Sequence, residues 1–187
     1  LEDCLNAAGA LRNKIPDTPL ILMGYYNPIY TYGLVSFAGR CQQSGVDGLI
    51  VVDLPGFEAA PLASECKSRN ISMIPLLAPT STSNSIQDAC AGASGFVYCI
   101  SVTGVTGDRD QFSGSSIELM DPDKKHTDLT LAVGFGISNR THVEEVGDSA
   151  EGAVVGSALI RVMLDSPRGE LVERASRFVA ELAGRAL

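Results

Sequence analysis

The chain lacks most of what marks membrane, secreted, metal-binding or nucleic-acid-binding proteins. No apolar run approaches the roughly 20 residues that cross a bilayer, and the opening Leu1-Glu-Asp-Cys resembles neither a signal peptide nor a transit peptide. Basic residues are few: 14 Lys and Arg stand against 22 Asp and Glu, a formal net charge of −8, with no basic cluster. That balance argues against nucleic acid and anionic membranes as partners. No CxxC pair occurs among Cys4, Cys41, Cys66, Cys90 and Cys99. Five widely spaced cysteines read as free thiols in a reducing compartment, so a cytoplasmic location is expected. Cys99 falls in an apolar strand and reads as core. The only histidines, His126 and His142, stand near no cysteine, so no metal site is expected. Linkers and low-complexity tracts are also missing.

What is present is one repeating unit. Of 187 residues, 45% are hydrophobic and 19% charged, as in a single well-cored domain, here taken as residues 1–187. Strands are predicted at Leu20–Tyr25, Gly48–Asp53, Ser72–Leu77, Phe96–Ile100, Leu129–Phe135 and Gly152–Val155. Helices are predicted at Leu1–Lys14, Tyr32–Ser44, Glu58–Arg69, Ser83–Ala91, Ser115–Lys125, Arg140–Val146 and Arg168–Leu182. The strands are continuously apolar, as parallel strands covered on both faces are. Their alternation with helices implies right-handed βαβ units and an α/β fold.

Two strands near the C-terminus carry the strongest functional signal. Leu131-Ala-Val-Gly-Phe-Gly-Ile-Ser138 and Ala153-Val-Val-Gly-Ser-Ala-Leu159 both end in glycine and a hydroxyl residue, and both lead into helices. Gly136 with Ser138, and Gly156 with Ser157, would then offer backbone N–H groups at helix N-termini, where unpaired donors and the helix dipole favour a phosphate. One glycine-tipped turn is explained by sterics alone. Two in consecutive units suggest the phosphate site after strands 7 and 8 of a (β/α)8 barrel. An acidic chain must bind phosphate through such local dipoles rather than its overall field.

Such a barrel has eight strands and about 250 residues. Six strands are visible here, the equivalents of strands 3 to 8, and the leading helix would cover a strand that is not present. The expectation is that about 60–80 residues with two βα units precede Leu1. The alternative is an open six-stranded doubly wound sheet with a switch-point crevice.

Five segments stand in the order of one family: Tyr25-Tyr-Asn-Pro-Ile-Tyr30, Gly45-Val-Asp-Gly-Leu-Ile-Val-Val-Asp-Leu-Pro55, Ser101-Val-Thr-Gly-Val-Thr-Gly107, Gly134-Phe-Gly-Ile-Ser138 and Val155-Gly-Ser-Ala158. The set closely resembles the tryptophan synthase alpha chain over essentially the whole sequence. The resemblance implies a (β/α)8 barrel that cleaves indole-3-glycerol phosphate to indole and glyceraldehyde 3-phosphate. It further implies a heterotetramer in which indole passes to a beta chain carrying pyridoxal phosphate, with no cofactor in this chain.

Carried over by residue, the resemblance makes Gly107, Gly136, Gly156 and Ser157 the phosphate-binding positions. Phe135, Tyr25 and Tyr98 would form walls of the indole and glycerol pocket, where a tyrosine supplies an apolar ring and a hydrogen-bonding phenol; a plain core or rim role serves either tyrosine equally well. Ile50, Val52 and Ile74 would add apolar surface, though core packing explains them as well. The two glycines of Thr103–Gly107 suit a mobile lid, with Thr106 bonding a carboxylate on closure; a flexible loop without gating is the alternative. The loop Asn27-Pro28-Ile29 matches a partner-facing segment of the family.

Asp53 is the inviting carboxylate, at a strand tip before Leu54-Pro55, and read by itself it is a candidate general base. The resemblance instead makes it a supporting residue. It places the acid–base work on a glutamate and an aspartate upstream of Leu1, so the catalytic residues of this chain are unknown and the chain alone is expected to be nearly inactive. Two other readings stay open. One is a different phosphate-binding barrel isomerase or synthase, against which Lys14, Lys67, Lys124 and Lys125 count, because none ends a strand. The other is a non-catalytic phosphate-binding scaffold that docks on and activates a beta chain.

Overall fold

A computed structural model describes residues 1–78, 81–100, 127–134 and 136–185. The elements run α1 (Glu2–Arg12), β1 (Ile21–Gly24), α2 (Tyr26–Tyr32), α3 (Leu34–Gln43), β2 (Gly48–Val51), a 3-10 turn (Gly56–Glu58), α4 (Ala60–Lys67), β3 (Ser72–Met73), β4 (Leu76–Leu77), α5 (Ser83–Cys90) and β5 (Phe96–Ile100). They continue with β6 (Thr130–Gly134), α6 (Arg140–Gly147), β7 (Gly152–Val154), α7 (Ser157–Leu164) and α8 (Leu171–Leu182). Among the described residues, no helix is long and apolar enough to cross a membrane. They form two compact units, one of residues 1–77, 81–97 and 127–129, the other of 78, 98–100, 130–134 and 136–185.

In the first unit β1, β2 and β3 form a parallel sheet, with Ile21 opposite Gly48, Gly24 opposite Val51, and Leu49 opposite Met73. All four residues of β2 are buried, which accounts for its unbroken apolar sequence. On α3, Leu34, Phe37, Ala38 and Cys41 follow helical spacing, and the last three are buried on the sheet beside Leu5, Leu49 and Leu62. Full burial of a side chain such as Phe37 or Leu49 contributes about 1.5–3 kcal/mol. At the start of the strands Arg12 gathers the chain, donating to the carbonyls of Gly45, Ile15, Pro16 and Thr18 and pairing with Asp47.

Three elements differ from their predicted bounds. The helix predicted from Tyr32 begins at Leu34 as α3, and an unpredicted helix, α2, precedes it, the two separated at Gly33, whose φ of 92° lies in the region glycine tolerates. Asn27, Pro28 and Ile29 are therefore not a loop: they lie on α2, Pro28 in the first turn, where its missing N–H costs nothing, and Ile29 is buried. The strand predicted over Ser72–Leu77 is split into β3 and β4, because Pro75 has no N–H for a ladder bond.

In the second unit β6 and β7 pair in parallel, with Ala132 opposite Gly152 and Gly134 opposite Val154. Leu131, Ala132 and Val133 are buried, as are Val146 of α6 and Leu182 of α8. Arg140 ties α6 to α8 by donating to the Leu182 carbonyl at 3.0 Å and pairing with Glu144. The predicted helix Ser115–Lys125 lies outside the described residues.

Candidate functional site

The candidate residues of the first unit gather at the C-terminal ends of β1 and β2. Val52 donates its N–H to the Gly24 carbonyl at 2.9 Å, so the two strand tips stay joined past the last ladder pair. Beyond that point the chain turns, and Val52 and Asp53 are exposed rather than part of the predicted strand. One oxygen of Asp53 accepts the N–H of Tyr26 at 2.7 Å. That N–H belongs to the first residue of α2 and has no acceptor within its own helix. Asp53 therefore caps α2 from the turn that follows β2, and Tyr25, 62% exposed, is held at the junction.

Val52, Asp53 and Ile74 line one cavity of about 580 Å³, together with Phe57, Leu77 and Asp88. Ile74 is itself buried and donates its N–H to the Leu49 carbonyl at 2.9 Å, and Ile50 is buried within β2. Both isoleucines thus serve the core. Gly56 brings the turn after Asp53 against α5: a Cβ there would lie 2.7 Å from the Ala89 Cα.

In the second unit the register fixes the relation of the two glycine tips. Gly134 lies opposite Val154, so Gly136 and Gly156 each stand two residues past a paired position on adjacent parallel strands. Both are exposed, and a Cβ on either would meet no atom within 4 Å. Gly136 has φ 75°, which by itself favours glycine. Gly156 has φ −123°, so neither left-handed backbone nor packing calls for glycine there. A close-approaching ligand is one physical reason for glycine there.

The two helix ends differ. Gly156 caps α7 with no side-chain hydrogen bond, so the first turn beginning at Ser157 presents backbone N–H groups. At α6 the expectation of a bare end fails. The side chain of Asn139 accepts the His142 N–H at 2.9 Å, and the Ser138 N–H donates to His142 Nδ1 at 3.4 Å. Tyr98, on β5, is half-buried, which pushes its phenol pKa upward, and it packs on Gly134 of β6. Thr106, Gly107 and Phe135, with the suggested lid, lie outside the described residues. Among the described residues no group of three or more His, Cys, Asp or Glu side chains is placed to hold a metal ion.

Comparison with known proteins decides the family. The family described as "Tryptophan synthase alpha chain" matches residues 1–184. The chain belongs to the tryptophan synthase alpha-chain family. It is 44% identical to the alpha chain of Roseiflexus castenholzii over 184 residues, 98% of this chain and 70% of that relative. It is 41% identical to that of Chloroflexus aggregans over 182 residues, 97% of this chain and 68% of the relative. A tryptophan synthase a2b2 complex from Pyrococcus furiosus contains a chain of like structure, with TM-score 0.86 and 34% identity over 98% of this chain and 73% of that one. The fold is accordingly the family's (β/α)8 barrel type, with α/β units in parallel order.

Around the candidate site, three residues were not legible in the sequence. Gly134 and Gly56 matter through what their missing side chains leave room for, and that partner lies on another element. Asn139 is a good N-cap type three residues before His142, and that residue type is the signal the sequence carries for it.

Proposed function

We propose that the chain works as the alpha type of tryptophan synthase, a carbon–carbon lyase acting on indole-3-glycerol phosphate. The observation that carries this reading is the pair of open glycine tips on adjacent parallel strands, within a chain matched by the family over residues 1–184. Gly136, Gly156 and Ser157, with Gly107, bind the phosphate through backbone N–H groups and the dipole of α7. Tyr25 and Val52 offer apolar surface to indole and glycerol, and Asp53 holds α2 in place beside them.

The reaction is a retro-aldol cleavage. The bond between the indole ring carbon and the glycerol carbon breaks, the ring carbon gains a proton, and the neighbouring hydroxyl loses one as it becomes the aldehyde of glyceraldehyde 3-phosphate. Each positioned acid or base is worth about 10²–10⁴-fold in rate. The acid and the base of this step are not among the positions assigned here. Its partner in this reading is a beta chain, since a relative from Pyrococcus furiosus forms an a2b2 complex, and the family resemblance gives that beta chain pyridoxal phosphate.

The test is indole release from indole-3-glycerol phosphate, measured with the chain alone and with a beta chain added. Phosphate binding and capture of a beta chain, with indole released by the complex, support the proposal. Failure to bind the phosphorylated substrate overturns it. Binding and beta-chain activation without any indole release, even in the complex, favours the scaffold reading instead.

A further inference from the structure

His142 is one of two buried polar side chains among the described residues, 9% exposed, and it stands in the first turn of α6. Its ring is engaged on the side of the preceding loop. Nδ1 lies 3.4 Å from the backbone N of Ser138 and 3.5 Å from its hydroxyl oxygen. Nε2 lies 3.3 Å from the side-chain nitrogen of Asn139, whose oxygen accepts the His142 N–H at 2.9 Å. Ser138 can satisfy Nδ1 in either neutral tautomer: its N–H donates when Nδ1 holds the lone pair, and its hydroxyl accepts when Nδ1 holds the proton. The ring thus fastens the loop from two residues, and Gly136 is the next glycine upstream, at φ 75° and open to solvent.

We propose that His142 is a positioning residue for phosphate binding, holding the Gly136–Ser138 turn in the shape that presents Gly136 to the ligand. The inference rests on the phosphate reading of Gly136 and Gly156. His142 touches no ligand; it acts through Ser138. Ile137 is buried and anchors the middle of the turn, whereas Ser138 is exposed and takes its place from a bond to a buried group. The imidazole supplies that bond from a helix already fixed by Val146 in the core.

The experiment is titration of the 187-residue chain with glycerol 3-phosphate, read by calorimetry, in wild type, His142→Phe and His142→Gln. Phenylalanine keeps the ring volume and removes both nitrogens, and glutamine restores a polar group. The expected result is binding about tenfold weaker in His142→Phe, the size of one lost hydrogen bond. Affinity should recover in His142→Gln, with the melting temperatures of the two variants alike. Equal affinity in wild type and His142→Phe overturns the proposal and leaves the phosphate reading standing. A wild-type chain that does not bind glycerol 3-phosphate removes both. Hydrogen exchange of the Ser138 amide in wild type needs no variant: protection supports the bond to His142.

Discussion

Tyr98 occupies the space that a side chain on Gly134 would need. A Cβ built on Gly134 would lie 2.2 Å from the phenol oxygen of Tyr98 and 2.3 Å from its Cε2. Because β6 lies beside β5, the phenol and the glycine face each other across the sheet. Gly134→Ala is expected to destabilise by about 1–3 kcal/mol, the usual cost of overpacking. Tyr98→Phe should give no relief, since the ring edge clashes as well. Tyr98→Leu should offset much of the loss, so urea unfolding of the double mutant would be less destabilised than the sum of the singles. Simple additivity of the two would show that the contact does not constrain the site.

Gly156 gives the opposite case, a glycine that no neighbouring atom requires. Gly156→Ala should leave the unfolding midpoint nearly unchanged while weakening binding of glycerol 3-phosphate, because the methyl projects into the space in front of α7. A large loss of stability with affinity preserved would assign the glycine to the backbone rather than the ligand.

For Asp53 the hydrogen bond to Tyr26 separates two roles. A capping carboxylate can be replaced by an amide, which keeps an acceptor oxygen, whereas a general base cannot. Asp53→Asn should therefore retain stability and much of the indole release measured with a beta chain. Asp53→Ala should cost about 1 kcal/mol, as lost helix caps do. Loss of turnover in Asp53→Asn with stability and substrate binding intact would restore the general-base role.

The buried thiols predict a pH dependence. Burial pushes the Cys41 thiol up to about 12 and the Cys66 thiol up to about 11, from an ordinary value of 9.0. Both values are raised in the folded state, so the unfolded chain loses these protons first. The stabilisation is fully present below pH 9 and is lost as pH rises towards the folded values. The loss should be about 2 kcal/mol between pH 9 and 10 for the two groups together, read from urea midpoints across that range. Cys41→Ala with Cys66→Ala should flatten the slope. In native protein a thiol reagent should label exposed Cys4 before either of them.

The sequence by itself determined the α/β class, the parallel order of strands and the location of the glycine tips. Those features are local: an apolar run such as Gly48–Val51 reports burial on both faces, and a glycine after a strand reports a turn, whatever lies elsewhere. Five short segments in order also sufficed to point to the family. Element ends were less legible, because Gly33 and Pro75 act through one backbone angle and one missing N–H. Tertiary structure alone decided which groups face each other. It set Asp53 on the N–H of Tyr26, 27 residues away, closed the end of α6 with Asn139 and His142, and filled the space over Gly134 with Tyr98. Such pairings depend on strand register and on how closely two backbones approach, and these arise only when the elements pack.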